Sequence, residues 1–98
     1  MIIEHALLIV SPERAKAFEA DLLRARPLIA ASPGFIGIEV RPAAECLGTY
    51  LLIVRWASIA DHRDGFRHSD RYQGWRALLH RYYDGLPVVS YFTDPILT

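Results

Sequence analysis

The stretch TYLLIVRW, Thr49 to Trp56, decides how the rest of the chain is read. Both of its alternating faces are largely apolar: Tyr50, Leu52, Val54 and Trp56 on one, Thr49, Leu51, Ile53 and Arg55 on the other. A strand with a solvated face alternates apolar with polar residues, so this one reads as a strand covered on two sides. Upstream, Pro42 to Gly48 is a loop, and FIGIEVR (Phe35 to Arg41) alternates as a second strand. Its expected faces are Ile36, Ile38 and Val40 against Phe35, Gly37, Glu39 and Arg41. At the start of the chain, IIEHALLIV (Ile2 to Val10) is a strand broken only by Glu4 and His5, and LPVVSYFT (Leu86 to Thr93) supplies the last one.

Helices fit between these strands. Ser11-Pro12 opens the first, with the serine hydroxyl as cap and proline at the first helical position, where its missing N–H costs nothing. Ala15, Phe18, Leu22, Ala25 and Ile29 form one apolar stripe, and Pro27 predicts a kink or an early end near Arg26. Ser32-Pro33-Gly34 stops the helix. Ser58 with Asp61 resembles a capping box opening a second helical region, which Gly65 is expected to interrupt. A longer helix follows with Tyr72, Trp75, Leu79 and Tyr82 on one stripe, and Gly85 and Pro87 end it.

The order strand–helix–strand–strand–helix–strand predicts an α+β, ferredoxin-like βαββαβ fold: a four-stranded antiparallel sheet with both helices on one face. The 98 residues are expected to form a single domain, 1–98. Helices on one side leave about 600–1,000 Å² of the other sheet face uncovered, more than a monomer tolerates. A standard interface takes about 800 Å² per partner, so two sheets packed face to face, a homodimer with a barrel-like centre, are expected.

Composition removes several function classes. The chain is 52% hydrophobic and 22% charged, too apolar for disorder. Eleven basic and eleven acidic residues cancel, which removes the electrostatic reason to expect nucleic acid or an anionic membrane as partner. An RNA-recognition fold shares the element order, but Thr49 to Trp56 is too aliphatic to stack bases. The lone Cys46 allows no internal disulfide, no basic leader precedes the first apolar run, and no run approaches ~20 residues. A cytoplasmic protein is the expectation.

Catalytic signatures are few. No phosphate loop, nucleophile elbow or H-E-x-x-H occurs, and Ser69 between His68 and Asp70 resembles a triad only in its order along the chain. His5, His62, His68 and His80 lack ligand spacing, so no metal is expected. Tyr50 to Tyr83, however, holds both tryptophans, four of five tyrosines and three of four histidines. Buried tyrosine hydroxyls and indole N–H groups need partners, and a polar-lined aromatic cavity for a flat organic ligand supplies them as readily as a core does. His62, on the first turns of the second helical region, is a candidate base at neutral pH, and Arg67 or Arg71 could anchor an acidic substrate group.

Two stretches carry a family resemblance. Ser32-Pro-Gly-Phe-Ile-Gly-Ile-Glu-Val resembles the turn and strand of antibiotic biosynthesis monooxygenase domains. Trp56-Ala-Ser-Ile-Ala-Asp-His62, Gly65-Phe66-Arg67, Ser69, Tyr72, Trp75-Arg76 and Tyr83-Asp84 resemble the second half of one subgroup. The resemblance implies a dimeric α/β barrel. It also implies a cofactor-independent monooxygenase, using dioxygen on a small aromatic, phenolic or quinol-type substrate with no metal, flavin or haem. In that mechanism His62 is the candidate base, Arg67 and Tyr72 the polar anchors, and Trp56, Phe66 and Trp75 the walls. A relative that binds small molecules or serves a stress response without catalysis is the alternative. The haem-degrading branch carries a ligand histidine shortly after the serine that Ser69 resembles; here those positions hold Trp75 and Arg76. The polyketide branch also uses asparagine around its substrate, and this chain has none.

Overall fold

Residues 1–98 are described by a computed structural model. Strands β1 (Ile2–Ile9), β2 (Phe35–Pro42), β3 (Thr49–Trp56) and β4 (Ser90–Phe92) form one antiparallel sheet in the order β2-β3-β1-β4. Helices α1 (Ala15–Ala30) and α2 (Asp70–Leu79) pack against each other on one face, so the expected α+β, ferredoxin-like layering holds. The register from Ile2 opposite Trp56 to Ile9 opposite Thr49 stacks Glu4, Ala6 and Leu8 beside Tyr50, Leu52, Val54 and Trp56 under the helices. Phe18, Ala25, Ile29, Phe66, Trp75, Leu79 and Tyr82 close the core from above. Burying each large apolar side chain stabilises by about 1.5–3 kcal/mol.

Asp21 also sits on the buried side of α1, where its carboxylate accepts from the Tyr82 hydroxyl and from Arg81, both at 2.6 Å, and meets Arg24. These bonds, with Tyr82 contributing most, hold the Asp21 carboxyl below its usual range.

Five sequence expectations are corrected. Helix α1 does not end near Arg26 but runs through Pro27 to Ala30. The ring removes one intrahelical bond in the last turn, while buried Ile29 anchors that turn on the core. Ser11 makes no side-chain cap; Pro12–Arg14 form a 3-10 turn whose Arg14 N–H donates to the Ser11 carbonyl. In β2 a bulge between Phe35 and Gly37 shifts the register, so Phe35 joins Ile38 and Val40 against the core and Ile36 faces outward. Gly65 does not interrupt the second helical region; the break falls at Arg67–Ser69, after a π-helical segment Asp61–Phe66. The last strand is three residues long rather than eight, because Leu86 to Val89 find no partner strand and Pro87 has no N–H to offer.

The outer sheet face carries Ile3, His5, Leu7 and Ile9 from β1, Leu51 and Ile53 from β3, and Ile36 and Phe92 from the edges. Leu7, Ile9, Ile36 and Phe92 are exposed. Glu39, in contact with Arg41 at 3.0 Å and Arg55 at 3.7 Å, is the polar part of this face.

Candidate functional site

The turn Ser32 to Gly34 sets the position of the site. Gly34 adopts φ +81°, and the Ala57 N–H donates to its carbonyl at 2.8 Å. The Asp61 carboxylate packs where a side chain on Gly34 would stand. Asp61 is also held by Ser58, whose Oγ accepts from the Asp61 N–H at 3.2 Å and donates to its carboxylate at 2.9 Å. The capping pair expected from the sequence is therefore present, and it starts the segment that carries His62.

That segment is wound with a wider turn than an α-helix: the Arg67 N–H donates to the His62 carbonyl, five residues back, at 3.1 Å. His62 and Phe66 both point inward and are buried, 3% and 2% exposed. Arg67 follows on the solvent side. Ser69 then caps α2, accepting from the Tyr72 N–H at 3.3 Å and donating to the Phe66 carbonyl at 2.7 Å. Tyr72 thereby stands edge-on to Phe66, with ring centroids 5.4 Å apart.

Beneath these groups lies a cavity of about 260 Å³ between helices and sheet. Its lining includes His62, Phe66, Arg67, Tyr72 and Trp75, so the structure brings together five of the six residues named for that mechanism from the sequence. Trp56 stands behind the wall: it is fully buried, tilts against His62 at 5.5 Å, and donates its indole N–H to Glu4 Oε1 at 3.0 Å. Ala6, Leu8 and Leu52 form the floor, and His80, Tyr83 and Pro87 the far rim.

Sequence reasoning missed Glu4 and Tyr91. Glu4 is 5% exposed and lies opposite Tyr91 across β1 and β4, both directed to the helix face. His62 spans the two, with Nδ1 2.6 Å from the Tyr91 hydroxyl and Nε2 3.3 Å from Glu4 Oε1. The signal for Glu4 was its spacing: it shares a face with Ala6, Leu8 and Val10, where a charge in a central strand is costly unless it has a purpose. Tyr91 carried no signal of its own, since it lies beyond the aromatic-rich stretch.

The electrostatics follow from burial. Desolvation, with Arg67 and Arg63 nearby, pushes the His62 imidazole down to about 4, so it is neutral at physiological pH. Burial raises the Glu4 carboxyl above its usual range, opposed by the Trp56 hydrogen bond and the Arg67 charge. Burial likewise lowers His80 and raises Tyr83. No group of three or more His, Cys, Asp or Glu side chains is placed to hold a metal ion.

The sequence model described as antibiotic biosynthesis monooxygenase matches residues 1–78. An uncharacterized protein of Bacillus subtilis (strain 168), YczJ, is 38% identical over 94 residues, covering 96% of this chain and 99% of that protein. A provisionally named antibiotic biosynthesis monooxygenase from Bordetella bronchiseptica shares 32% identity, with TM-score 0.91 over 97% of each chain. The cofactor-independent oxygenase SnoaB of Streptomyces nogalater superposes with TM-score 0.77 over 98% of this chain and 93% of its own; at 15% identity that likeness is one of fold.

Proposed function

The chain belongs to the antibiotic biosynthesis monooxygenase family, and from that premise we propose that it oxygenates a small phenolic, anthrone-like or quinol-type molecule with dioxygen and no cofactor. The observation that carries this reading is the aromatic cavity backed by the buried Glu4–His62 pair. At about 260 Å³ it is slightly smaller than the ~300–1,000 Å³ of most ligand cavities, which favours a compact substrate of few rings. Phe66 and Trp75 form the walls that hold the rings and exclude water, with Trp56 bracing them from behind. Arg67 and Tyr72 anchor the polar groups, and Arg67 stabilises the anion formed.

The chemistry balances without a bound redox group. A base takes a proton from the substrate carbon or hydroxyl, leaving an electron-rich anion. The anion passes one electron to dioxygen, and the resulting radical and superoxide combine to a peroxide. The base returns its proton to the peroxide. For a methylene substrate, loss of the remaining C–H proton breaks the O–O bond and gives a ketone and water. The Glu4–His62 pair is the proton acceptor in this reading.

As a unit we propose residues 1–98 as one cytoplasmic domain, paired as a homodimer through its outer sheet face. The apolar side chains of Leu7, Ile9, Ile36 and Phe92 there support the pairing. An oxygen electrode run with a panel of anthrones and quinols tests the activity. Consumption of one dioxygen per substrate oxidised is expected. Binding without oxygen uptake would mean a small-molecule carrier instead, and a Soret band on haem titration would redirect the reading to haem.

A further inference from the structure

We propose that Glu4 Oε2 is the atom that takes the substrate proton, with His62, Tyr91 and Trp56 as positioning residues. The proposal rests on the oxygenase reading above and deepens it. His62 Nδ1 is hydrogen-bonded to the Tyr91 hydroxyl at 2.6 Å, and Nε2 faces Glu4 Oε1 at 3.3 Å, so each ring nitrogen is directed at a neighbouring side chain. Both contacts to Glu4, from Trp56 and from His62, go to Oε1. No buried side-chain oxygen lacks a partner, so Oε2 opens on the cavity that Glu4 lines.

The charge on Glu4 orders the protons. Nε2 stands 3.3 Å from Glu4 Oε1 without a hydrogen bond between them, and beside a carboxylate a ring hydrogen on Nε2 is favoured over a lone pair, which would be repelled. Nε2 therefore carries the ring hydrogen, Nδ1 is the acceptor, and the Tyr91 hydroxyl donates to it. Tyr91 thus selects the imidazole tautomer that clamps Oε1, as a second partner does wherever a histidine must present one particular nitrogen. With Oε1 accepting from Trp56 and faced by the imidazole, Oε2 is the basic site. Its proton moves from the substrate C–H or O–H to Oε2, giving a neutral carboxylic acid and a substrate anion beside Arg67. The same proton later goes to the peroxide and restores the carboxylate.

Dithranol, a dihydroxyanthrone, tests this because its enolate is coloured and forms before any oxygen chemistry. The wild type, Glu4→Gln, Glu4→Asp and Tyr91→Phe are mixed with it in stopped flow without oxygen, and dioxygen is then admitted. In the wild type the bound enolate appears anaerobically and decays on oxygenation. Glu4→Gln still binds, by quenching of tryptophan fluorescence, but forms enolate at least about 100-fold more slowly, the lower end of what a positioned base supplies. Raising the pH restores it. Glu4→Asp, which keeps the charge if the amide variant folds poorly, gives an intermediate rate.

Tyr91→Phe keeps the enolate but moves its acid limb to higher pH. Without the tautomer lock the imidazole no longer keeps its N–H toward Oε1, and the carboxylate is less stabilised. The other charged and titratable groups around this contact are Arg67, whose charge reaches Glu4, Tyr72 from α2, and His80 and Tyr83 beyond it. Arg63 acts on His62 and lies over the Tyr91 ring, so Glu4→Gln leaves its contact in place and Tyr91→Phe removes only the hydroxyl beneath it. Enolate formed at the wild-type rate by Glu4→Gln overturns the assignment of Glu4 and leaves the oxygenase reading standing. Enolate without oxygen uptake in the wild type does the reverse. Failure of the wild type to bind dithranol removes both.

Discussion

The Tyr91 hydroxyl and His62 Nδ1 lie 2.6 Å apart although 29 positions separate them in the chain. One belongs to the short edge strand β4, the other to the π-helical segment that lines the cavity. The contact therefore fastens an edge strand of three residues to the helical layer.

Removing that hydroxyl exposes how much the fastening matters. In Tyr91→Phe the buried Nδ1 is left without a hydrogen-bond partner, which costs about 1–3 kcal/mol. Urea unfolding of the variant is expected to show a lower midpoint at unchanged slope. An unaltered midpoint would mean that the bond is absent in solution.

The acid limb of stability has a sign set by His62. Its folded value near 4 lies below the reference 6.5, so between these the unfolded chain binds a proton that the folded one refuses. The His62 contribution is complete above pH 6.5 and is lost as pH falls toward 4. Glu4, raised by burial, works in the opposite direction over its own range: the folded state binds its proton first as pH falls. The difference between wild type and His62→Gln isolates the first effect. Thermal melts between pH 7 and pH 4 are expected to show a steeper decline for the wild type; parallel curves would remove the assignment.

Gly34 is a second sensitive point. Alanine there meets both a φ of +81° and the Asp61 carboxylate, so Gly34→Ala is expected to destabilise by more than the ~1 kcal/mol of a strained backbone alone. Because Asp61 begins the segment bearing His62, the variant is also expected to weaken ligand binding in the cavity. Denaturation and fluorescence titration check the two effects separately, and wild-type behaviour in both would remove Gly34 from the account.

The outer sheet face gives a further test. Leu7 and Leu51 lie opposite each other in β1 and β3, so lysine at both sets charges in the middle of the proposed interface while leaving the helix-side core untouched. Sedimentation velocity of the wild type is expected at about 22 kDa, twice the chain mass of 11.1 kDa, and of the double variant at the chain mass. A wild-type monomer at micromolar concentration would end the dimer proposal.

Most of the architecture was legible because strand and helix periods are strong signals wherever one face is buried. The two strand segments around Thr49–Trp56 and Ile2–Ile9 pair along their whole length, as their apolar patterns required. What the pattern could not express was local slippage. A single bulge turned Phe35 inward and Ile36 outward, and alternation alone cannot reveal an inserted residue. The cavity was legible as an aromatic cluster in one stretch. Its carboxylate was not, because Glu4 reaches His62 and Tyr91 only through strand pairing and the return of the chain over the sheet.

The i-to-i+5 turn between His62 and Arg67 contains one residue more than an α-helical turn would use. Excising a single position there, Gly65 for instance, would rotate everything before it against everything after it by about 100°, the angular step of one helical residue. His62 and Phe66 could then no longer both look down onto Glu4. The site thus depends on the count of residues in this short arc as much as on their identity, and a shortened arc would make a stable relative with a blind chamber.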